Sequence, residues 1–266
     1  MGPLVVACID SMRREFPEHQ FVVLTDRDVP EDILRLATSV EIKADYARID
    51  ALAKTGGVWL DASCYVFNQA WILEAPTLAE VTGFGAPWDP NVLENWALAA
   101  PTGSPFMSRW RDEYTLALRE GLSAYCHRVR DQMSPTLVPS LPYLSCHAAA
   151  AMVRRNYPDT RIHLFPSVPR GPFGVQHLLE WKMDRVAWYV LRQPTTMVQN
   201  VCGSFCKLRG AERNAIQSII NARVNDGSMF SRAEFVPAFV FPRWLLFVLV
   251  VVVSMCWVVL WKRQRR

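Results

Sequence analysis

No C-x-x-C pair occurs in the 266 residues, although there are seven cysteines, at Cys8, Cys64, Cys126, Cys146, Cys202, Cys206 and Cys256. That absence excludes a zinc ribbon and a thioredoxin-type redox motif. Scattered cysteines are most often small buried thiols, and Cys202 and Cys206 are near enough in sequence to be bridged in an oxidising compartment. The opening Met1-Gly2-Pro3 lacks a basic region followed by a long apolar run, so no cleavable leader is expected, and Val6 stands where myristoylation requires Ser or Thr. An excess of one charge is missing too. The formal net charge of +4 is accounted for by Lys262, Arg263, Arg265 and Arg266, and the residues before them carry 25 basic and 25 acidic side chains. So balanced a globular part is not a general nucleic-acid binder. No internal repeat interrupts the chain.

A long apolar run is present, at the C-terminal end. Trp244 to Trp261 is a stretch of 18 uncharged, strongly apolar residues, which as a helix spans ~27 Å, the thickness of a bilayer core. Trp244, Trp257 and Trp261 lie near its ends and Lys262 to Arg266 follow it, as interfacial anchors do. The chain therefore divides into a domain at 1–225, a linker at 226–243, one transmembrane helix at 244–261 and a basic tail at 262–266, with the lipid bilayer as a partner. Without a leader such a span inserts as a tail anchor under a cytosolic domain. The basic tail favours the opposite, a cytosolic tail and a lumenal domain, and the lumenal placement is the one expected.

In the body of the chain the apolar periodicity alternates between helix and strand, which gives an α/β class. A first helix is expected at Leu4 to Phe16, a strand at Phe21 to Leu24, and a helix opened by Pro30-Glu31-Asp32. Tyr46, Ile49, Leu52 and Ala53 recur at helical spacing, Gly56-Gly57 stops that helix, and Val58 to Leu60 reads as a short buried strand delivering Asp61 to its end. Cys64 to Phe67 continues as strand. Val81 to Gly85 and Trp96 to Ala99 are two further strands, separated by a loop at Pro87 to Pro90. Ser104 caps a helix from Pro105 to Glu120 that Gly121 closes. A helix at Pro142 to Asn156, a strand at Arg161 to Phe165, a loop at Pro166 to Gly174 and a helical stretch at Val175 to Leu191 complete the pattern. His147 on its alanine-rich face reads as a packed core histidine, and Trp181, Trp188 and Tyr189 as core aromatics.

Two segments carry a resemblance. Asp45, Arg48, Leu52, Gly56, Gly57, Trp59, Leu60, Asp61 and Ser63 fall in register on D-x-x-R-x-x-x-L-x-x-x-G-G-x-[WY]-[LI]-D-x-[DTS], and Asn95, Leu98, Ala99, Ala100 and Pro101 on N-x-x-[IL]-A-A-P, followed by a G-x-P turn. The chain thus resembles the glycosyltransferases related to capsular polysaccharide synthesis proteins and the family 32 (DXD sugar-binding) transferases. On spacing alone Asp45 and Arg48 read first as a helix-surface ion pair, and Asp61 more often as a turn residue than as a metal ligand.

The resemblance implies a glycosyltransferase A type fold, a Rossmann-like sandwich with a mixed central sheet. It implies transfer of a hexose from a nucleotide-sugar donor, a nucleoside diphosphate sugar, to a glycan or polysaccharide acceptor, with retention and with no enzyme base. A divalent cation, Mn2+ or Mg2+, would be held by Asp61, the catalytic residue, and by Ser63 where relatives have a second aspartate. Asp45, Arg48, Gly57 and Asn95 would bind the donor. Asp61→Asn is then expected to abolish transfer and leave the thermal midpoint unchanged. The family places a strand before the first helix, and either Leu4 to Ala7 serves as that strand or it is absent, the largest departure from the family. Among endomembranes the implied location is Golgi or ER, if the source is eukaryotic. The alternative function is a catalytically inactive transferase-like membrane protein used for binding or assembly.

Overall fold

A computed structural model describes residues 3–225 of the chain, and over them the fold is a mixed α/β arrangement around a mixed sheet. The first helix, α1, is Pro3–Glu15. It takes up Leu4 to Ala7, so that segment is not a strand. Phe21 to Leu24 is not a strand either: among the described residues no neighbour pairs with it, and Val22 and Val23 are 60% and 45% exposed. An apolar run without a ladder partner cannot hold strand geometry against water. Thr25 caps a short turn at Asp26–Asp28, and α2 follows at Glu31–Leu36.

Helix α3, Val40–Thr55, begins where the Ser39 hydroxyl accepts from the Ile42 amide and ends at Gly56. Gly56 has φ 66, and a Cβ there would lie 2.4 Å from the Thr102 backbone nitrogen, so only glycine fits where the turn crosses that loop. Strand β1, Gly57–Leu60, pairs antiparallel with β5, Ala97–Ala100, after the chain has passed through β2 (Cys64–Val66), α4 (Ala70–Glu74), β3 (Val81–Ala86) and β4 (Asp89–Leu93). β1 is half-buried rather than buried, because it is an edge strand with one flank open to a cleft. β3 and β4 form a hairpin that pairs Ala86 with Asp89, so half of the expected loop at Pro87 to Pro90, Asp89 and Pro90, is strand and the turn is the pair Pro87-Trp88.

Helix α5, Pro105–Glu120, starts at the Ser104 cap and stops at Gly121 as its sequence dictates. It is followed by α6 (Leu122–Val129), α7 (Ser145–Asn156) and β6 (Ile162–Phe165), which adds to β3 in parallel. The sheet order is β1-β5-β3-β4, with β6 also on β3. Beyond it lie α8 (Gly174–Leu178), α9 (Met183–Arg192), α10 (Thr195–Cys202), β7 (Phe205–Lys207) and α11 (Gly210–Asn225). The single helix expected over Val175 to Leu191 is two, broken where Glu180 and Trp181 take left-handed φ values of 54 and 60.

Strand β5 shows how the layers sit. Leu98 and Ala100 face one core with Ile49, Leu52, Phe106 and Trp110, while Ala97 and Ala99 face the other with Trp71, Phe84, Trp96 and Phe205. Alternate residues of one strand thus serve two cores, which is why its sequence is apolar throughout. On the second face β2 leaves the main sheet and pairs with β7 instead, antiparallel, Cys64 opposite Lys207 and Val66 opposite Phe205. The six cysteines among the described residues are buried free thiols. The expected membrane span at 244–261 lies outside the described residues, among which no helix is long and apolar enough to cross a membrane.

Candidate active site

Asp61 follows β1 directly, and its amide still donates to the Trp96 carbonyl at 2.8 Å, one step beyond the strand pairing. The chain then turns, the Cys64 amide donating to the Asp61 carbonyl at 2.9 Å, and enters β2. That turn brings the end of one sheet against the edge of the other. The register of β2 on β7 sets Lys207 opposite Cys64, and the Lys207 ammonium donates to Asp61 Oδ2 at 2.6 Å and to Ser63 Oγ at 2.8 Å.

On the other side of Asp61 stands Arg48 of α3, only 6% exposed along its side chain. Its Nε donates to the Ala44 carbonyl at 3.1 Å and its Nη1 to the Asn95 carbonyl at 2.9 Å. Nη2 lies 3.4 Å from both Asp45 Oδ1 and Asp61 Oδ1. Asp45 Oδ1 also accepts from the Asn95 side-chain Nδ2 at 2.9 Å, and Asp61 Oδ1 from the Trp59 indole at 3.0 Å. Asp45 and Arg48 are therefore not a surface pair. Asp45, Arg48, Asp61 and Lys207 form one row of alternating charge.

Burial acts against both carboxylates, and the neighbours decide the outcome. At Asp61 desolvation would raise the carboxyl, but Lys207 and Arg48 outweigh it and bring its pKa down to about 2. At Asp45 desolvation prevails over Arg48 and His147, and the pKa is raised. The same burial lowers the tendency of Arg48 to hold its proton, and Asp61 and Asp45 more than restore it.

The row lies in the wall of a cleft of ≈ 1290 Å3, to which Gly57, Ser63 and Asn95 also contribute. Its volume exceeds the ~300–1,000 Å3 of ordinary small-molecule pockets, so a ligand with two parts fits. Gly57 has φ 95, which favours glycine, although a Cβ there would meet nothing within 4 Å. All the site residues expected from sequence thus meet in one cleft. His147, expected in the core, is buried but lines the same cleft, its Nε2 3.5 Å from Glu94 and its Nδ1 without a hydrogen-bond partner.

The donor set does not fit the expected divalent cation. Both oxygens of Asp61 and the hydroxyl of Ser63 are engaged by side-chain donors, and Lys207 lies between the two supposed ligands. Two unit charges 4 Å apart interact by about 4 kcal/mol at an effective dielectric of about 20. A dication sharing this place with the ammonium would be repelled by about twice that. Among the described residues no group of three His, Cys, Asp or Glu side chains is arranged to hold a metal.

The two motifs, now seen to be adjoining walls of one cleft, lie within the stretch that matches a known family. Residues 1–116 match the family described as capsular polysaccharide synthesis protein. No curated protein and no solved structure matches the chain. The capsular-synthesis match covers Asp45, Arg48, Asp61, Ser63 and Asn95 and ends inside α5. Lys207 and His147 come from beyond it. Nothing in sequence spacing marks Lys207, which stands 146 residues after Asp61 in a strand of three residues. Trp59 was visible as a motif position, and its indole donation to Asp61 was not.

Proposed function

We propose that the chain acts in polysaccharide synthesis as a retaining glycosyltransferase, on a glycosyltransferase A type scaffold, moving a hexose from a nucleoside diphosphate sugar to a glycan acceptor. The observation that carries this reading is the buried row Asp45, Arg48, Asp61 and Lys207 along the wall of a cleft large enough for a two-part donor. Carboxylates accept hydrogen bonds from sugar hydroxyls, and fixed cations oppose the charge of a diphosphate. Arg48 spends its donors on Ala44, Asn95 and the two carboxylates, so it is a positioning residue that holds Asp45 and Asp61 for the sugar.

In the transfer, the bond from the anomeric carbon to the diphosphate oxygen breaks and its electron pair leaves with the diphosphate. The acceptor hydroxyl oxygen bonds the anomeric carbon on the same face, and its proton passes to a departing phosphate oxygen. No enzyme base is required. The 18 apolar residues at 244–261 support attachment of this domain to a bilayer.

The engaged state of both Asp61 oxygens favours a second reading, a transferase-like protein that binds without turnover. The full-length chain incubated with uridine, guanosine, cytidine and thymidine diphosphate sugars, with release of nucleoside diphosphate followed, separates the two. Release from one donor, lost in Asp61→Asn, supports the transferase. Saturable binding with no release supports the second reading, and no binding to any donor overturns both.

A further inference from the structure

The disagreement between the expected metal site and the side chains that occupy it has a positive content, which rests on the transferase reading above. We infer that the Lys207 ammonium stands in place of the divalent cation and receives the donor diphosphate directly, so that nucleotide binding is independent of metal. The inference begins with position. The two atoms from which a metal would be hung, Asp61 Oδ2 and Ser63 Oγ, are the two acceptors of the Lys207 ammonium, at 2.6 and 2.8 Å. An ammonium carries three donors, so one is left for a ligand oxygen, and the side chain lines the cleft.

Lys207 is built in rather than laid across the site. Its amide donates to the Pro172 carbonyl at 2.9 Å and its carbonyl accepts from the Gln176 side-chain Nε2 at 2.7 Å. The following amide, of Leu208, donates to the Ser63 carbonyl at 3.0 Å. Phe205, two residues earlier on the same face of β7, is fully buried against Trp71, Phe84 and Trp96. The ammonium itself lies 5.7 Å from the Trp96 ring centre. With its side chain only 10% exposed and its backbone held at both ends, Lys207 has no solvent position to retreat to when a ligand arrives.

Charge and chemistry agree with the placement. Arg48 and Lys207 balance Asp45 and Asp61, so the row is neutral before the donor enters and a diphosphate meets a cation whose counter-ion is already in place. Arg213 of α11 lines the same wall, as does Arg209, which is held by Glu212 and stacked on Trp181. With Lys207 paired to Asp61 and Arg209 to Glu212, it is Arg213 that makes the wall formed by β7 and the start of α11 net basic where a diphosphate would lie, and such focusing draws anions. When the sugar leaves, the electron pair that moves onto the diphosphate oxygen is met by a fixed ammonium that needs no reorganisation.

The test is made on the full-length chain with nucleoside diphosphates alone as probes. Uridine, guanosine, cytidine and thymidine diphosphates are titrated by calorimetry in EDTA and again in Mn2+, and Mn2+ alone is titrated against the protein by electron paramagnetic resonance. The expected result is one diphosphate bound with affinities that agree within about twofold with and without metal, and no tight Mn2+ site. Lys207→Met should weaken that binding by about 10- to 100-fold, the loss of one charge-assisted hydrogen bond, and Lys207→Arg should recover part of it. Binding that appears only with Mn2+, or a stoichiometric Mn2+ site in the wild-type protein, overturns the inference and leaves the transferase reading standing. If no diphosphate and no nucleotide sugar binds under either condition, the transferase reading falls and the inference with it. The wild-type titrations decide the matter even if Lys207→Met does not fold.

Discussion

Asp61→Asn should weaken the fold as well as the chemistry. Asparagine keeps the shape of the side chain and one acceptor oxygen, but it removes the negative charge that stands between Arg48, at 3.4 Å, and Lys207, at 2.6 Å. Removing one partner of a buried ion pair costs about 3–5 kcal/mol, because the other is left uncompensated. Two features reduce that figure here: Asp61 is 23% exposed along its side chain, and Arg48 retains Asp45. The depression of the Asp61 pKa from its ordinary 3.8 to about 2 gives an independent scale. At 1.36 kcal/mol per pKa unit it amounts to about 2 kcal/mol. Both routes lead to a loss of about 2–3 kcal/mol at pH 7, read from urea unfolding of the two proteins. The sign follows from the depressed pKa. The stabilisation is fully present above the unfolded value near pH 4 and is lost as pH falls through about 2, so the gap between wild type and variant should be level from pH 7 to about 4.5 and narrow below pH 4. A variant with an unchanged urea midpoint at pH 7, or a gap that does not narrow in acid, would refute the placement of Asp61 between two cations. The sequence alone suggests the unchanged midpoint, from the place of Asp61 at the end of its strand.

Arg48→Lys should not be conservative: the planar fork reaches Ala44, Asn95 and two carboxylates, a lysine cannot make all of these contacts, and a loss of about 2 kcal/mol in urea unfolding is expected. Gly56→Ala places a methyl 2.4 Å from the Thr102 nitrogen at φ 66, so it should lower stability by more than 1 kcal/mol and more than Gly57→Ala, where φ is 95 but nothing lies within 4 Å; equal midpoints for the two variants would count against the close crossing. Ser104→Ala should cost about 1 kcal/mol in the same assay, because the hydroxyl accepts from the Met107 amide at the start of α5.

How far the site can be read from sequence depends on how far apart its parts lie along the chain. Asp45, Arg48, Gly56 and Asp61 are on one continuous helix, turn and strand, and local rules place them: a helical period, a glycine stop, an apolar run. Asn95 and the Ser104 cap belong to a second such unit, and each end of α5 follows from its own capping residues. The short strands escape those rules. Phe21 to Leu24 has the composition of a strand and no partner to pair with among the described residues, whereas β7 has three residues, too few for a period, and becomes a strand because β2 offers it an edge. Lys207 depends on that pairing entirely. A shift of one residue in the register would turn Lys207 to the opposite face and bring Cys206 or Leu208 toward Asp61. What holds the register is Phe205, packed among Trp71 of α4, Phe84 of β3 and Trp96 in the bend before β5. A motif with one carboxylate and a serine therefore looks, from its own residues, like a weakened metal site. The cation that its aspartate and serine hold in the structure is a lysine 146 positions downstream from Asp61, brought there through an aromatic cluster that no local pattern announces.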